Sequence, residues 1–303
     1  MLIEKVAIKE IRKNKDLLKG KKVFVQIPEG LKYSSTKILD ELKKIRASPF
    51  LCAEPCFGAC DIRYKEAKLL GCELILHIGH IKFYKDFETE IPVLYIPLEI
   101  GIKIKKEVLE NISENKIGIV SNVQHLTSLE NIKSALKGIG KDVIVGGYVL
   151  GCYFENAKRI EKDVDCILFI GSGSFHVKEL KRFIKKPIYH FDPEKNKIEK
   201  VEEDKKSEIK RIMKIEKLKE AKKVGILIST KPGQYYKDFE KIEKILKNMK
   251  KEVYKIVADR ITNEKLIGID VDVFLNTACP RIEEDDFKKP IINVSEFLNF
   301  FDN

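Results

Sequence analysis

Three cysteines, Cys60, Cys152 and Cys279, follow apolar strands in the first, middle and last thirds of the chain. Their surroundings read AEPCFGACDI at 53–62, GYVLGCYFENA at 147–157 and FLNTACPRI at 274–282. In open parallel α/β sheets, ligands bind beyond the carboxyl ends of the strands, and all three thiols are expected at such ends. Thiolates are soft ligands that favour iron–sulfur clusters or zinc over hard cations. We therefore interpret the three cysteines as the ligands of one metal site.

The spacing of these cysteines does not match the common local metal motifs. They are separated by more than ninety residues, so neither the CxxC pairs of zinc ribbons nor the CxxCxxC run of ferredoxins is present. Three thiolates suit a 4Fe-4S cluster whose fourth iron stays open for a substrate, while zinc remains the other soft metal that such a set accepts. Spacing alone leaves both metals open.

The other cysteines and two histidines receive different interpretations. Cys56 lies one helical turn before Cys60 in CFGAC, so either could reach the metal site, and Cys60 is favoured because it directly precedes Asp61 at a predicted helix start. His77 and His80 lie in or beside an apolar strand and are interpreted as core or loop histidines rather than ligands. Three further thiols lie within apolar strands and are interpreted as core packing: Cys52, Cys72 and Cys166.

Polar turns at other strand ends indicate a second ligand beside the metal. GSGSFH at 171–176 supplies Ser172, Gly173 and His176, and STKPGQ at 229–234 supplies Gln234. Backbone amides in Gly/Ser turns, together with the forked guanidinium of Arg281, suit a carboxylate and hence an amino-acid-like ligand. Two alternatives stay open. In one alternative, the turn at 171–176 serves only to cap a helix. In the other, Arg281 pairs with Glu283 or Asp285 at the protein surface.

Three copies of one strand–helix pattern position these residues. Apolar strands at 22–30, 116–125 and 223–234 each open a series of strands and helices of similar order. Continuous apolar strands alternating with helices indicate a parallel sheet covered on both faces. The predicted fold class is α/β, with three similar Rossmann-like parallel-sheet domains arranged around a central metal-cluster site. Their predicted extents are 1–100, 101–198 and 199–303, the last with a leading charged linker helix.

The amino-acid composition limits the classes of protein to which this chain can belong. The chain has 303 residues, of which 44% are hydrophobic and 35% charged, and its net charge is +11. No apolar run approaches the roughly 18 residues of a membrane helix, and the N-terminal segment is charged and amphipathic, so a cytoplasmic protein is expected. The favoured interpretation of the positive charge is a solvated lysine-rich surface. Signatures of P-loop hydrolases, dinucleotide-binding proteins and zincins are absent from the sequence.

The motifs PCFGACD, VLGCYFENA, GSGSFH, STKPGQ and TACPRI, in this order along nearly the whole chain, resemble the archaeal diphthamide synthase family of 2-(3-amino-3-carboxypropyl)histidine synthases. The resemblance implies three α/β domains in a triangle around one 4Fe-4S cluster. Each domain would contribute one ligand, at positions Cys60, Cys152 and Cys279. It also implies a homodimer. CFGAC has the first spacing of the ordinary radical motif CxxxCxxC but no third cysteine, so it is not that motif.

The resemblance further implies the reaction. The reduced cluster would bind S-adenosylmethionine at its open iron and break the bond from sulfur to the γ carbon, giving a 3-amino-3-carboxypropyl radical and methylthioadenosine. The radical would add to a histidine of translation elongation factor 2, the first step of diphthamide biosynthesis, with an external electron donor. No catalytic residue beyond the cluster, no membrane partner and no direct nucleic-acid contact are expected. By hypothesis, S-adenosylmethionine is held by five residues, Ser172, Gly173, His176, Gln234 and Arg281.

Two other functions are compatible with parts of the pattern. Quinolinate synthase also has three similar domains and a three-cysteine 4Fe-4S cluster, which acts as a Lewis acid. Its His-Pro-Glu-Cys type of cysteine motif is absent here, since the last cysteine lies in TACPRI. A non-enzymatic basic RNA-binding module with incidental cysteines is the other alternative, and it would be colourless where a cluster protein is brown.

Overall fold

The computed structural model describes residues 2–202 and 204–301. The chain divides into two compact units, Met1–Glu202 and Glu203–Asn303. The first unit contains two sheets and the second contains one. Within these described stretches no helix is both long enough and apolar enough to cross a bilayer.

The first sheet is entirely parallel, with the strand order β2-β1-β3-β4. Its elements are α1 Leu2–Lys13, α2 Lys15–Leu18, β1 Lys22–Gln26, a 3-10 helix Glu29–Ser34, α3 Ser35–Lys44, β2 Ser48–Leu51, α4 Tyr64–Leu69, β3 Leu74–Ile78 and β4 Val93–Ile96. Every side chain of β3 is buried, as expected for a strand covered by helices on both faces.

The second sheet repeats this order and adds a fifth strand, giving β6-β5-β7-β8-β9. Its elements are α5 Lys106–Leu109, β5 Lys116–Ser121, a 3-10 helix Val123–Ser128, α6 Leu129–Lys137, β6 Asp142–Tyr148, α7 Glu155–Glu161, β7 Cys166–Ile170, α8 Phe175–Phe183, β8 Ile188–Asp192 and β9 Lys197–Lys200. Strand β9 pairs antiparallel with β8, whereas the other pairs are parallel.

The sheet of the second unit has the same parallel order, β11-β10-β12-β13. Its elements are α9 Lys205–Glu220, β10 Lys223–Ser229, a 3-10 helix Pro232–Gln234, α10 Phe239–Asn248, β11 Glu252–Ala258, α11 Asn263–Leu266, β12 Val273–Asn276, a 3-10 helix Pro280–Glu284, β13 Ile291–Asn293 and α12 Val294–Phe301.

All three sheets place their first strand between the second and third strands of the series. In a doubly wound sheet of this order, the connections leave the first and third strands in opposite directions and open a crevice at their carboxyl ends. The crevice lies between β1 and β3, between β5 and β7, and between β10 and β12. These three edges are where the fold directs ligands to bind.

One element differs from the sequence-based expectation. The charged linker helix predicted at the start of 199–303 is α9, but the charged residues before it form strand β9, where Ile198 is buried against the second core. Strand β9 belongs to the second sheet, and the two units divide after Glu202. The predicted domain boundary at 198/199 stays a prediction. The last strand, β13, has only three residues, and the chain changes to helix α12 at Val294. A domain boundary at 100/101, within the first unit, stays a prediction.

Replacing Leu76 of β3 with alanine should destabilise the first sheet strongly. Its side chain is fully buried in a core formed by α1, α3 and the strands. Leu-to-Ala changes in such cores lower the free energy of unfolding by about 2–5 kcal/mol. Leu69→Ala is the matched control, because Leu69 is 87% exposed and surface changes stay within about 0.5 kcal/mol. Denaturant unfolding measures both, and equal midpoints would contradict this account of the core.

Candidate metal centre

A buried hydrogen-bond network holds the chain directly after Cys60. The amide nitrogen of Gln26, at the end of β1, donates to the Asp61 carbonyl at 2.9 Å, and the backbone NH of Arg63 donates to Oε1 of Gln26 at 3.1 Å. Gln26 and Asp61 are each 1% exposed, and Arg63 Nε lies 3.8 Å from Oδ1 of Asp61. The network therefore fixes the half-buried Cys60 at the carboxyl edge of the first sheet, in the loop that follows β2.

Cys152 occupies the tip of a tight turn that follows β6. Leu150 and Tyr153 exchange two backbone hydrogen bonds of 2.9 and 3.2 Å, which leaves Gly151 and Cys152 as the two turn residues. The Cys152 side chain is exposed. A thiol presented on a two-residue turn is sterically open to an incoming metal cluster.

An aromatic stack and a hydrogen bond tie this turn to the loop that follows β3 of the first sheet. The Tyr84 hydroxyl donates to the Cys152 carbonyl at 3.0 Å, and the ring centroids of Tyr84 and Tyr153 are 4.6 Å apart in a stacked arrangement. Tyr148 stacks on Tyr153 at 5.6 Å. The first two sheets thus share contacts beside Cys152, and no local sequence pattern indicates them.

The Cys152 turn also packs directly against the turn at 171–176. A side chain at Gly151 would overlap the ring of Phe175, at the start of α8. His176 is the next residue, and its ring centroid is 5.3 Å from that of Phe175. The absence of a side chain at Gly151 therefore allows the cysteine turn and the polar turn to approach closely.

Ser172 and Gly173 lie in the turn between β7 and α8, and His176 lies in the first turn of α8, at the crevice of the second sheet. Gly173 adopts the left-handed region with φ +78°, and a side chain there would meet nothing within 4 Å, so its backbone is approachable. Burial lowers the pKa of His176 to about 4, which keeps the imidazole neutral near pH 7. Nδ1 of His176 is buried and has no hydrogen-bond partner among the described residues.

Paired asparagines hold the Cys279 turn at the end of β12. Asn276 donates to the Cys279 carbonyl at 2.9 Å and to Oδ1 of Asn293 at 2.7 Å, and its own Oδ1 accepts the NH of Ala278. Asn293 donates to the Pro280 carbonyl at 3.0 Å. Cys279 then precedes the 3-10 helix Pro280–Glu284 and is half-buried.

Positive charge accompanies the Cys279 thiol. Burial raises its pKa, and the backbone NH of Arg281 with the charges of Arg281 and Lys231 oppose that rise. Lys231 is only 4% exposed and lies in the STKPGQ turn, where its NH donates to the Ser229 hydroxyl at 3.2 Å. Lys231 was not among the residues predicted for the site, although its position within a strand-end turn was an available signal.

Gln234 and Arg281 flank the same crevice, since one follows β10 and the other follows β12. Gln234 Oε1 lies 3.4 Å from the Ser229 hydroxyl. Arg281 is exposed. Glu283, one of its two expected surface partners, instead forms a 2.6 Å ion pair with Lys214 of α9 and accepts a hydrogen bond from Asn293.

The predicted site residues thus fall into two groups. Cys60, Cys152 and the turn 171–176 lie in the first unit, and Gln234, Cys279 and Arg281 lie in the second. Each group lies at the carboxyl edge of its own sheet or sheets. The meeting of the three sulfurs at one centre stays a prediction.

A second cluster of soft ligands was missed. Nε2 of His77 lies 3.0 Å from Nδ1 of His80 and 3.9 Å from Sγ of Cys56. Burial lowers the pKa of His77 to about 3 and that of His80 to about 4, and it raises the pKa of the Cys56 thiol to about 12. The interpretation of His77 and His80 as core or loop histidines agrees with their burial. It did not include the proximity of the two rings to each other and to Cys56.

The chain is similar to known proteins along almost its whole length. Residues 27–302 match the family described as "Putative diphthamide synthesis protein". The chain belongs to this diphthamide synthesis family. It is 31% identical to 2-(3-amino-3-carboxypropyl)histidine synthase of Pyrococcus horikoshii, over 97% of this chain and 90% of that protein. It is 33% identical to the protein of that name from Methanocaldococcus jannaschii, over 93% of this chain and 85% of that protein.

A solved diphthamide-family structure has the same fold. Dph2 from Pyrococcus horikoshii, crystallised with a 4Fe-4S cluster, superposes with a TM-score of 0.88 at 30% identity, covering 97% of this chain and 90% of that chain. The expected α/β fold class is therefore confirmed as three sheets dominated by parallel strands together with their helices, and the family resemblance indicated by the five motifs is confirmed as well.

Gly151→Ala should disturb both turns of this diphthamide-family protein. The added methyl group must displace Phe175 or the cysteine turn, and such overpacking lowers the free energy of unfolding by about 1–3 kcal/mol. Gly101→Ala is the matched control, because a side chain there would meet nothing within 4 Å. Chemical denaturation compares the two variants. Indistinguishable unfolding midpoints would show that the close approach at Gly151 is not required.

His176 should make stability fall in mild acid. An unfolded histidine titrates near about 6.5, whereas the folded pKa is about 4. The unfolded state therefore binds the proton first, and the free energy of unfolding declines as the pH drops from about 6.5 to about 4. His176→Gln should flatten that slope by up to about 1.4 kcal/mol per pH unit. Unfolding curves at stepped pH measure it, and an unchanged slope would contradict the burial of a neutral ring.

Proposed function

We propose that this protein is a 2-(3-amino-3-carboxypropyl)histidine synthase. It transfers the 3-amino-3-carboxypropyl group of S-adenosylmethionine to a histidine of translation elongation factor 2, the first step of diphthamide biosynthesis. The observation that carries the proposal is the position of Cys60, Cys152 and Cys279. Each lies in an anchored turn at the carboxyl edge of a different sheet, in a chain that shares its fold with a protein crystallised with a 4Fe-4S cluster.

The three cysteines fit such a cluster by chemistry and by accessibility. All are exposed or half-buried, whereas the remaining four thiols, Cys52, Cys56, Cys72 and Cys166, are buried. The Cys60 and Cys279 turns are fixed by buried amide side chains, so these two sulfurs are held in place before a cluster arrives. The positive charges of Arg281 and Lys231 favour the thiolate form of Cys279.

When bound and reduced, a 4Fe-4S cluster with an open iron supplies the electron that splits the bond from the sulfonium sulfur to the γ carbon. The protein must therefore hold the aminocarboxypropyl arm in one orientation, since positioning decides which of three similar bonds breaks. Arg281 provides a guanidinium fork for the carboxylate and Gln234 a neutral amide for the amino end. Both residues follow strands that border one crevice.

The turn at 171–176 provides the remaining contacts in this proposal. Ser172 offers a hydroxyl, and Gly173 offers backbone that no side chain covers. His176 stays neutral near pH 7 with Nδ1 unpartnered among the described residues, so its ring hydrogen-bonds a ligand without adding charge beside a sulfonium. These roles support binding and orientation rather than a proton-transfer step.

The proposed function also includes the location, the oligomeric state and the partners of the enzyme. The enzyme works in the cytoplasm as a homodimer, takes its electron from an external donor, and modifies a protein histidine rather than a nucleic acid. The net charge of +11 favours approach to an RNA-associated translation factor, because opposite charge speeds encounter without reading a sequence. After the radical adds to the imidazole, the adduct would return one electron to the oxidised cluster and release one proton to solvent, which restores the aromatic ring.

Anaerobic incubation of the reduced protein with archaeal elongation factor 2 tests this function. With S-adenosylmethionine labelled in the aminocarboxypropyl arm, label should enter the factor and methylthioadenosine should form in equal amount. Cys60→Ala, Cys152→Ala and Cys279→Ala should each reduce both products to background. Cys72→Ala is the control, because Cys72 is buried in the apolar core of the first sheet and should leave transfer intact.

Two outcomes would contradict the proposal. Label that stays out of the factor while methylthioadenosine forms would mean that another acceptor is used. Full transfer by any of the three cysteine variants would remove that cysteine from the proposed cluster ligands.

A further inference from the structure

We propose that Cys56, His77 and His80 form a second metal site, separate from the three cluster cysteines, that binds a zinc ion through one thiolate and two imidazoles. Their candidate ligand atoms all lie within 4.8 Å of one another. Cysteine sulfur and histidine nitrogen are the ligands that zinc prefers, and three protein ligands leave a fourth tetrahedral position open.

The spacing of the donor atoms is close to that of a zinc site. Zn–S bonds of about 2.3 Å and Zn–N bonds of about 2.0–2.1 Å place tetrahedral donors about 3.3–3.6 Å apart. Here His77 Nε2 is 3.0 Å from His80 Nδ1 and 3.9 Å from Cys56 Sγ. The remaining pair, Cys56 and His80, has its donor atoms within 4.8 Å. Side-chain adjustments of about 1.3 Å or less would therefore complete the coordination.

The hydrogen bonding around His77 is incomplete without a cation. Its Nε2 faces both Cys56 and His80, and one proton on that nitrogen can serve only one of them. The whole residue is 0% exposed. A metal ion uses the electron pairs of both rings and of the thiolate at once.

The local backbone is built to bring the two histidines together. Gly79 adopts φ +96°, and a side chain there would lie 2.7 Å from Cγ of Pro28. The chain therefore turns sharply after β3 and returns His80 onto His77, with ring centroids 5.1 Å apart. The ring of Tyr95 supports His77 from another side at 5.6 Å. His80 is the half-buried member of the cluster, so an ion reaches it from solvent.

Zinc binding by the cluster-loaded protein tests the site. After incubation with zinc and dialysis against a weak chelator, about one zinc should remain per chain, and zinc X-ray absorption should show one sulfur near 2.3 Å and two imidazole nitrogens near 2.0 Å. Cys56→Ser and His80→Gln should each lose the bound zinc and keep the iron. Cys52→Ser is the matched control, as another buried thiol of the same loop, and should keep both metals.

Cys60→Ala separates this site from the proposed cluster, because it should lose iron and keep zinc. Zinc surrounded by sulfur alone would mean that the ion occupies the cluster cysteines, and this would overturn the proposal. Zinc retained equally by Cys56→Ser, or no zinc retained by the wild-type protein, would overturn it as well. The absorption spectrum of the wild-type protein decides the question even if a variant fails to fold.

Discussion

Parallel pairing of the first strand with the second and third strands determines where chemistry can occur in this protein. Strands β1, β5 and β10 lie in the interior of their sheets, and the side chains along β3 and β7 are entirely buried. Polar groups inside such strands would lose their hydrogen bonds to water without replacement. The polar side chains and the three candidate ligand cysteines therefore lie at the carboxyl edges, where turns and 3-10 helices leave the sheet.

At these edges, each cysteine turn is held in place by hydrogen bonds from other residues. Gln26 and Asn276 each end an interior strand and use a side-chain amide to hold the backbone of a neighbouring turn. The amides replace hydrogen bonds that the sheet cannot extend beyond its edge. The Cys152 turn is held differently, by a two-residue turn and the hydroxyl of Tyr84. The three candidate metal ligands thus lie on irregular chain that is held by secondary contacts, which orient ligands in metal sites.

The sequence specified the repeated strand order and the strand-end positions of Cys60, Cys152 and Cys279, because apolar strand periodicity and turn residues are local signals. It did not specify β9, because a short charged strand with one buried residue, Ile198, resembles a helical linker until its pairing partner is known. The contacts of Gly151 with Phe175 and of Cys56 with His77 join residues more than twenty positions apart. Such contacts depend on tertiary packing, which local sequence patterns do not reveal.

Similarity among the three sheets does not extend to their ligand positions. Cys60 and Cys152 follow edge strands β2 and β6, whereas Cys279 follows the interior strand β12. In the other two sheets the edge after the third strand carries the His77–His80 pair or the 171–176 turn instead. Equivalent strand-end positions in the three sheets therefore carry side chains of different chemistry.

The exposed turn at Cys152 has a consequence for the life of the newly made protein. A thiol at the tip of a two-residue turn is accessible to oxidants, and sulfinic or sulfonic products could no longer ligate iron. Maturation in a strongly reducing compartment, with rapid capture of the sulfur, would protect the chain during that interval. The same accessibility means that a metal centre could reach this thiol without any opening of the hydrophobic core.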